Sequence, residues 1–254
     1  MLKALVFDVD GTLADTEETH RAAYNAAFAA HGHDWYWDHA QYARLLAISG
    51  GQARLRAFIA GRARTSGERR RWLGSVAALH ATKTRFYADF VAAGRVTFKP
   101  GIARVIAEAR AAQVGLALVS STTPSNVDAL LTANLGSGAR GWFQVRASAR
   151  DGQERKPAPD VFRSALARLG LPASACVAFE DTATGVAAAR AAGLFTIALP
   201  TAWSAGQALS GAGLVLDHLG DPTTPLSLSA ATRVGAGYIG ILTLARLKRA
   251  WEFR

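Results

Sequence analysis

The sequence predicts an α/β fold: a parallel β-sheet core into which an α-helical module is inserted. Three observations carry that reading. After residue 95, short apolar runs alternate with Ala-rich helical patterns, the signature of βα units and a parallel sheet covered on both faces. The chain also opens on one more apolar run, LKALVF, which reads as a further strand. Between that run and its kin, residues 16 to about 90 lack strand character and carry helical periodicity instead.

Taken in order, LKALVF ends in Asp8 and Asp10, followed at once by Gly11 and Thr12. The segments HRAAYNAAFAAHG, QYARLLAIS, QARLRAFIAG and WLGSVAALHATKTRFYADFVAAG then predict the helices of the inserted module. GERRR, residues 67–71, is its most polar stretch and is expected to be a loop. The two crossings between module and core, near 14–17 and 88–99, are expected to act as a hinge. Downstream, GLALVS (115–120), ACVAFE (175–180), GLFTIALP (193–200) and GLVLDHL (213–219) read as strands. Residues 102–112, 125–135, 158–169 and 183–192 read as helices. In ERKPAPD, Lys156 is expected to open a helix whose first turn takes Pro157 and Pro159.

The tail differs. DPTTPLSLSAATRVGAG (221–237) reads as a turn-rich connector, and YIGILTLARLKRAWEFR as a closing amphipathic helix. Its Ile241, Leu244, Leu247 and Trp251 recur at helical spacing and are expected to dock on the main core. The predicted organisation is thus a core of 1–15 and 92–222, a helical module of 16–91, and a connector with closing helix over 223–254.

Composition narrows the class. With 254 residues and 50% hydrophobic content, the chain buries a substantial core. Its only cysteine, Cys176, lies in an apolar run and is expected to be a small buried hydrophobe. The apolar stretch before the first acid is too short for a signal peptide, and no run reaches the roughly 18 residues of a membrane span. A cytoplasmic protein with no membrane contact is expected. Lys and Arg outnumber Asp and Glu by 29 to 19. No helix-turn-helix or finger pattern accompanies that excess, so nucleic acid is not the expected partner; a small anionic substrate fits.

In open α/β sheets, ligands bind beyond the carboxyl ends of the strands. Here those ends carry Asp8 and Asp10, Ser120, and Glu180 with Asp181. Four acids at adjoining strand ends repel and raise one another's pKa unless a cation intervenes. All-oxygen ligation, without a Cys/His cluster, favours Mg2+. Lys156 adds a second cation, and the set becomes receptive to phosphate. Asp8 is then placed to attack phosphorus, while Asp10 protonates the leaving oxygen and later activates water. Ser120 and Lys156 neutralise the phosphoryl oxygens. Gly11 permits tight passage after the strand, and Thr12 ties down the loop.

The stretches DVDGTLADTE (8–17), VSSTTPSN (119–126), RKPAPDVF (155–162) and FEDTATGVAAARAAG (179–193) resemble, as an ordered set, the motifs of the haloacid-dehalogenase superfamily. The resemblance extends to about residue 220. It implies a Rossmann-like core with an inserted cap that closes over small substrates. It also implies Asp8 as the phospho-aspartyl nucleophile, Asp10 as acid/base, Ser120 as the hydroxyl of the second motif and Lys156 as the motif lysine. The Mg2+ would be held by Asp8, the backbone carbonyl of Asp10 and Asp181, with Glu180 in its immediate shell. Ser121, Thr122 and Asn126, in the second motif, are expected to contact substrate.

Within the superfamily, ADTEETHRAAYNAAFAAHG, DWYWD, LLAISGGQARL and LVLDHLGDPTTP resemble the CbbY group. That resemblance implies a phosphatase removing the 1-phosphate of xylulose 1,5-bisphosphate to give xylulose 5-phosphate, in the setting of carbon fixation. Glu17 and His20, one turn apart at the start of the first cap helix, are expected to meet the substrate's hydroxyls or a phosphate. Gly50 and Gly51 would allow a close approach, and Arg54 would grip the distal phosphate. Many CbbY-like sequences carry GGK where this chain has GGQ, so Gln52 offers hydrogen bonds without charge; Arg56 and Arg85 are candidates to compensate. The alternatives are a β-phosphoglucomutase-like mutase, a phosphatase of another small metabolite such as phosphoglycolate, and, least favoured, a non-catalytic interaction protein. A monomer is expected, with DWYWD and the final helix leaving a dimer open.

Overall fold

A computed structural model describes residues 1–148 and 154–252. The chain divides into two compact units. One comprises Met1–Asp15, Thr97–Ser120 and Asn134–Arg254; the other comprises Thr16–Val96 and Ser121–Ala133.

The first unit is built on the expected parallel sheet. Its strands are β1 (Ala4–Phe7), β2 (Gly115–Ser120), β3 (Val145–Ser148), β4 (Cys176–Glu180), β5 (Phe195–Ala198) and β6 (Leu214–Val215). They lie in the order β3-β2-β1-β4-β5-β6, every neighbouring pair parallel. This is the doubly wound order in which the crevice at the central reversal receives ligands. β1 is central, with Phe7 in register with Leu118 on one side and Phe179 on the other. All four β1 residues are buried, which is why LKALVF reads as a continuous apolar run rather than an alternating one.

On one face of the sheet, Val6, Val119, Val145 and Ala178 pack with Val161, Phe162, Ala165 and Leu166 of α8 (Asp160–Leu169) and with Ala188 and Ala189 of α9 (Ala183–Ala191). Cys176 belongs to this cluster and is buried and unbridged, the small hydrophobe expected. On the other face, Phe7 and Phe179 stack at 4.5 Å.

The sequence reading is corrected in several places. Strand β3 was absent from it: VRAS is only four residues long, carries an arginine and occupies an edge, so its signal is weak. The last strand shrinks from 213–219 to Leu214–Val215. Lys156 does not open a helix. Residues 156–159 form a turn, and α8 begins at Asp160 with Pro159 as its cap residue. The connector 221–237 contains a short helix, α10 (Leu228–Val234), begun by Ser227, whose hydroxyl accepts from the Ala230 N–H, and ended by Gly235 at φ 63°. The closing helix is α11 (Ile241–Glu252); Phe253 and Arg254, which the reading included, lie outside the described residues. It docks on the first unit as expected. Leu244 is buried, Trp251 meets Phe195 at 5.6 Å, and the Ile241 N–H donates to Glu108 of α6 (Ile102–Ala111). Arg104 of the same helix donates to the carbonyls of Gly220 and Ile239.

The second unit holds α1 (Glu17–Ala30), α2 (His39–Leu46), α3 (Gly51–Arg62), α4 (Ser66–Gly74) and α5 (Val76–Ala92), with α1 packed along α5. The expected loop GERRR is the body of α4. Thr65 and Glu68 form a reciprocal capping box, the S/T-x-x-E signal that the polar reading passed over. The two tryptophans of the DWYWD run belong to the interior of the unit. Trp37 is fully buried and Trp35 nearly so, packed with Tyr24, Phe28 and Phe58, while Asp34, Tyr36 and Asp38 face solvent. Among the described residues, no helix is long and apolar enough to cross a membrane.

Candidate active site

The chain leaves the sheet at Asp8, whose N–H donates to the Phe179 carbonyl at 2.9 Å. A tight loop follows: the N–H groups of Thr12 and Leu13 return to the Val9 carbonyl, and that of Gly11 donates to Ala14. Gly11 sits at φ 84°, and a Cβ there would lie 2.2 Å from an oxygen of Asp181. Glycine is therefore demanded twice, by the backbone angle and by a carboxylate that needs the space.

Asp8, Glu180 and Asp181 are all buried, and one carboxylate oxygen from each lies within 4.8 Å of the others. The Thr12 hydroxyl reaches Oδ2 of Asp8 at 3.2 Å and Oδ1 of Asp181 at 3.4 Å. The Lys156 ammonium donates to Oδ1 of Asp8 and Oε1 of Glu180, each at 2.5 Å. Glu180 is tucked beneath the first turn of α9. Its Oε2 accepts from the Asp181 N–H, and a Cβ on Gly185 would stand 1.9 Å from that oxygen. The start of α9 is fixed by Thr182, whose hydroxyl accepts from the Gly185 N–H, and the positive end of the helix suits the buried anion.

Lys156 meets two of the three carboxylates directly. Burial pushes the Asp8 carboxyl up to about 7, against the pull of Lys156 and with help from Glu180. Burial alone would depress the Lys156 ammonium, but Asp8 and Glu180 outweigh it and hold the amine above its ordinary value. Lys99 lies further out, donating to the Leu199 carbonyl at 2.5 Å. Burial draws its pKa down while Asp181 and Asp15 oppose the shift. Three buried carboxylates in this spacing can coordinate a divalent cation, and an all-oxygen donor set fits a hard one. The Asp10 side chain is not among the three; only its backbone carbonyl was expected on a metal. Ser120 is buried at the end of β2, in register with Ser148 and on the strand next to β1.

The remaining candidates lie in the second unit. Asn126 is buried at the start of α7 (Pro124–Leu135), and its side-chain amide donates to the Thr122 hydroxyl at 3.0 Å. Ser121, just before it, is exposed. In the helical bundle, His20 is buried, stacks on Tyr87 at 4.1 Å and has Nδ1 2.8 Å from the Lys83 ammonium. An ammonium only donates, so in this contact Nδ1 is the acceptor. Glu17 accepts from the Tyr42 hydroxyl at 2.6 Å. Arg54 donates to that hydroxyl at 3.2 Å and to the Leu45 carbonyl at 3.1 Å.

Gly50 caps α3 at φ 92°. Gly51 has a packing reason of its own, since a Cβ there would lie 2.4 Å from His80 and 2.6 Å from the Tyr24 hydroxyl. Gln52 is exposed in the first turn of α3. Arg56 and Arg85, the candidates to compensate for it, are exposed too, whereas Lys83 is the cation that burial brings to His20. Lys83 was missed, yet its signal was present: it occupies the buried face of α5, in step with Val76, Leu79, Tyr87 and Val91. Tyr42 and Gly185 were missed as well, because each matters through a partner on another element.

Comparison with known proteins adds independent findings. The family described as haloacid dehalogenase-like hydrolase matches residues 2–193. The plasmid-encoded protein CbbY of Cupriavidus necator is 49% identical over 225 residues, covering 89% of each chain. The crystal structure of CbbY from Rhodobacter sphaeroides in complex with phosphate superposes with a TM-score of 0.78 at 40% identity, covering 86% of this chain and 95% of that one. A variant of that protein in complex with xylulose-(1,5)bisphosphate gives a TM-score of 0.77 at 39% identity, with the same coverage.

Proposed function

Since the chain belongs to the haloacid dehalogenase-like hydrolases, and within them to the CbbY-like group, we propose that its phosphomonoesterase machinery removes the 1-phosphate of xylulose 1,5-bisphosphate, giving xylulose 5-phosphate. The observation that carries the chemistry is the buried Asp8, Glu180 and Asp181 cluster clamped by Lys156 at adjoining strand ends. The substrate rests on likeness to a protein crystallised with that bisphosphate.

In this mechanism an Asp8 oxygen attacks phosphorus, and the bond from phosphorus to the sugar oxygen breaks. Asp10 gives its proton to the departing oxygen, leaving a phospho-aspartate and the sugar alcohol. Asp10, now ionised, takes a proton from water as the water attacks phosphorus; inorganic phosphate departs and Asp8 is restored. Lys156 keeps Asp8 oriented and offsets charge on the phosphoryl oxygens, with the Ser120 hydroxyl as a further donor. Asp8, Asp181 and the Asp10 carbonyl would hold Mg2+, with Glu180 beside them; the ion supplies charge neutralisation when bound.

The test is a phosphate-release panel with xylulose 1,5-bisphosphate, ribulose 1,5-bisphosphate, phosphoglycolate and β-glucose 1-phosphate, products being identified. Xylulose 1,5-bisphosphate should show the highest kcat/KM, EDTA should silence it, and added Mg2+ should restore it. Preference for another compound, or conversion of β-glucose 1-phosphate to glucose 6-phosphate, rejects the substrate assignment; indifference to chelation rejects the metal.

A further inference from the structure

Tyr42 is fully buried on α2, yet its hydroxyl joins charged side chains from two other helices. It donates to Oε2 of Glu17, in the first turn of α1, at 2.6 Å. It accepts from Nη1 of Arg54, on α3, at 3.2 Å. The guanidinium is held a second time, by its Nε on the Leu45 carbonyl, and its central carbon lies 5.3 Å from the centre of the Tyr42 ring. Burial, followed by the nearby Glu17 carboxylate, holds the phenol well above its ordinary pKa, so it stays an O–H donor.

A carboxylate and a guanidinium read different parts of a phosphorylated sugar: the first accepts from hydroxyls, the second donates to phosphate. Each sits on a long side chain that loses rotamer freedom when it is fixed. The phenol stands between them and engages both, so part of that ordering precedes binding. We infer that Tyr42 is a positioning residue that sets the spacing of Glu17 and Arg54, so that the helical unit selects a phosphorylated polyol over a bare phosphoryl group. The inference rests on the reading of the protein as a sugar-phosphate phosphatase.

Tyr42→Phe tests it, because the ring and its packing remain while the hydroxyl goes. KM for xylulose 1,5-bisphosphate should rise about tenfold, the scale of one hydrogen bond to charged partners, with kcat changed less than about twofold. Hydrolysis of p-nitrophenyl phosphate, which has no polyol, should be unchanged. In a double-mutant cycle, Tyr42→Phe and Glu17→Gln should be less than additive in KM. Equal losses on both substrates with a lowered thermal midpoint would mark a merely structural role and overturn the inference; so would an unchanged KM for every sugar phosphate the wild type turns over. A wild type that ignores xylulose 1,5-bisphosphate, but whose KM for another phosphorylated sugar rises tenfold in Tyr42→Phe, overturns the substrate assignment and supports Tyr42. A wild type inert towards all sugar phosphates overturns both.

Discussion

The sheet unit and the helical unit both bury charge, but they accommodate it by different means. At the strand ends, the Lys156 ammonium meets two carboxylates at 2.5 Å with a third beside them, an all-oxygen set that can hold a divalent cation. In the helical unit, the buried Lys83 ammonium faces an imidazole nitrogen at 2.8 Å and the rings of Tyr24 and Tyr87 at 4.9 and 5.2 Å. Aromatic faces and an imidazole nitrogen line this cation. Lys and Arg also outnumber Asp and Glu two to one between Thr16 and Val96. One unit thus gathers carboxylates that can hold a divalent cation, and the other is rich in Lys and Arg, a contrast that suits a metal-dependent enzyme of phosphate esters.

The largest effect should come from breaking the acidic side. Asp8→Asn keeps the shape and removes the nucleophile, so phosphate release at saturating Mg2+ should fall at least about 10^4-fold. Appreciable residual turnover would count against covalent catalysis. The same variant isolates a pH effect in the metal-free protein. Burial raises the Asp8 carboxyl from its ordinary 3.8 to about 7 in the folded state. Folding therefore favours the protonated form: the stability it contributes is complete below the unfolded value and is lost as pH rises through the folded one. In EDTA, the thermal midpoint of the wild type relative to Asp8→Asn should decline between about pH 4 and pH 8. A difference independent of pH would show that Asp8 is not held protonated by burial.

A smaller but still severe effect is expected at a residue with no chemistry at all. The Cβ of Gly185→Ala would fall 1.9 Å from Glu180 Oε2, so either the glutamate or the first turn of α9 must move. Moving Glu180 shifts a partner of Lys156 and, through it, the placement of Asp8. We expect about a 100-fold loss of kcat, the scale of a misplacement near 1 Å. Arg163→Ala, on the exposed side of the neighbouring α8, is the control and should leave kcat unchanged. Equal kcat in Gly185→Ala and wild type would separate Glu180 from the working site.

The same contrast explains what could be read in advance. The strand-end acids and Ser120 announce themselves because a charged or hydroxyl residue closing an apolar run is locally anomalous. Lys156, in the polar stretch ERKPAPD, is legible only through its place in the ordered set of motifs. The parallel sheet follows from the same runs. Lys83 and Tyr42 lack that contrast, because both interrupt helical faces that a lysine stem or a phenol ring can also fill as packing. Their meaning lies in Nζ reaching His20, 63 positions earlier in the chain, and in a phenol hydroxyl joining α1 to α3. Gly185 reads as an ordinary small residue in an Ala-rich helix until Glu180 is placed beneath it. Helix α4 is hidden for a different reason: its density of arginines resembles a polar loop, while Thr65 and Glu68 spell a capping box. Charge marks exposure, whereas capping marks structure, and here the second decided.

The mildest expected change tests the cationic side. Arg54→Ala removes a guanidinium whose bonds to Tyr42 and Leu45 are local to the helical unit. If that group serves a phosphate distant from the reacting centre, a bisphosphate should lose about tenfold in kcat/KM and a monophosphate of the same sugar about twofold or less. Arg54→Lys should recover only part of the difference, since an ammonium keeps the charge but not the planar fork held by two acceptors. Equal penalties on the two substrates would remove Arg54 from distal recognition and leave Lys83 as the cation of the helical unit to examine, because it pairs burial with direct contact to His20. A selective loss would instead show that the anion-attracting half of the molecule discriminates between substrates, while the acidic half performs the same transfer on each.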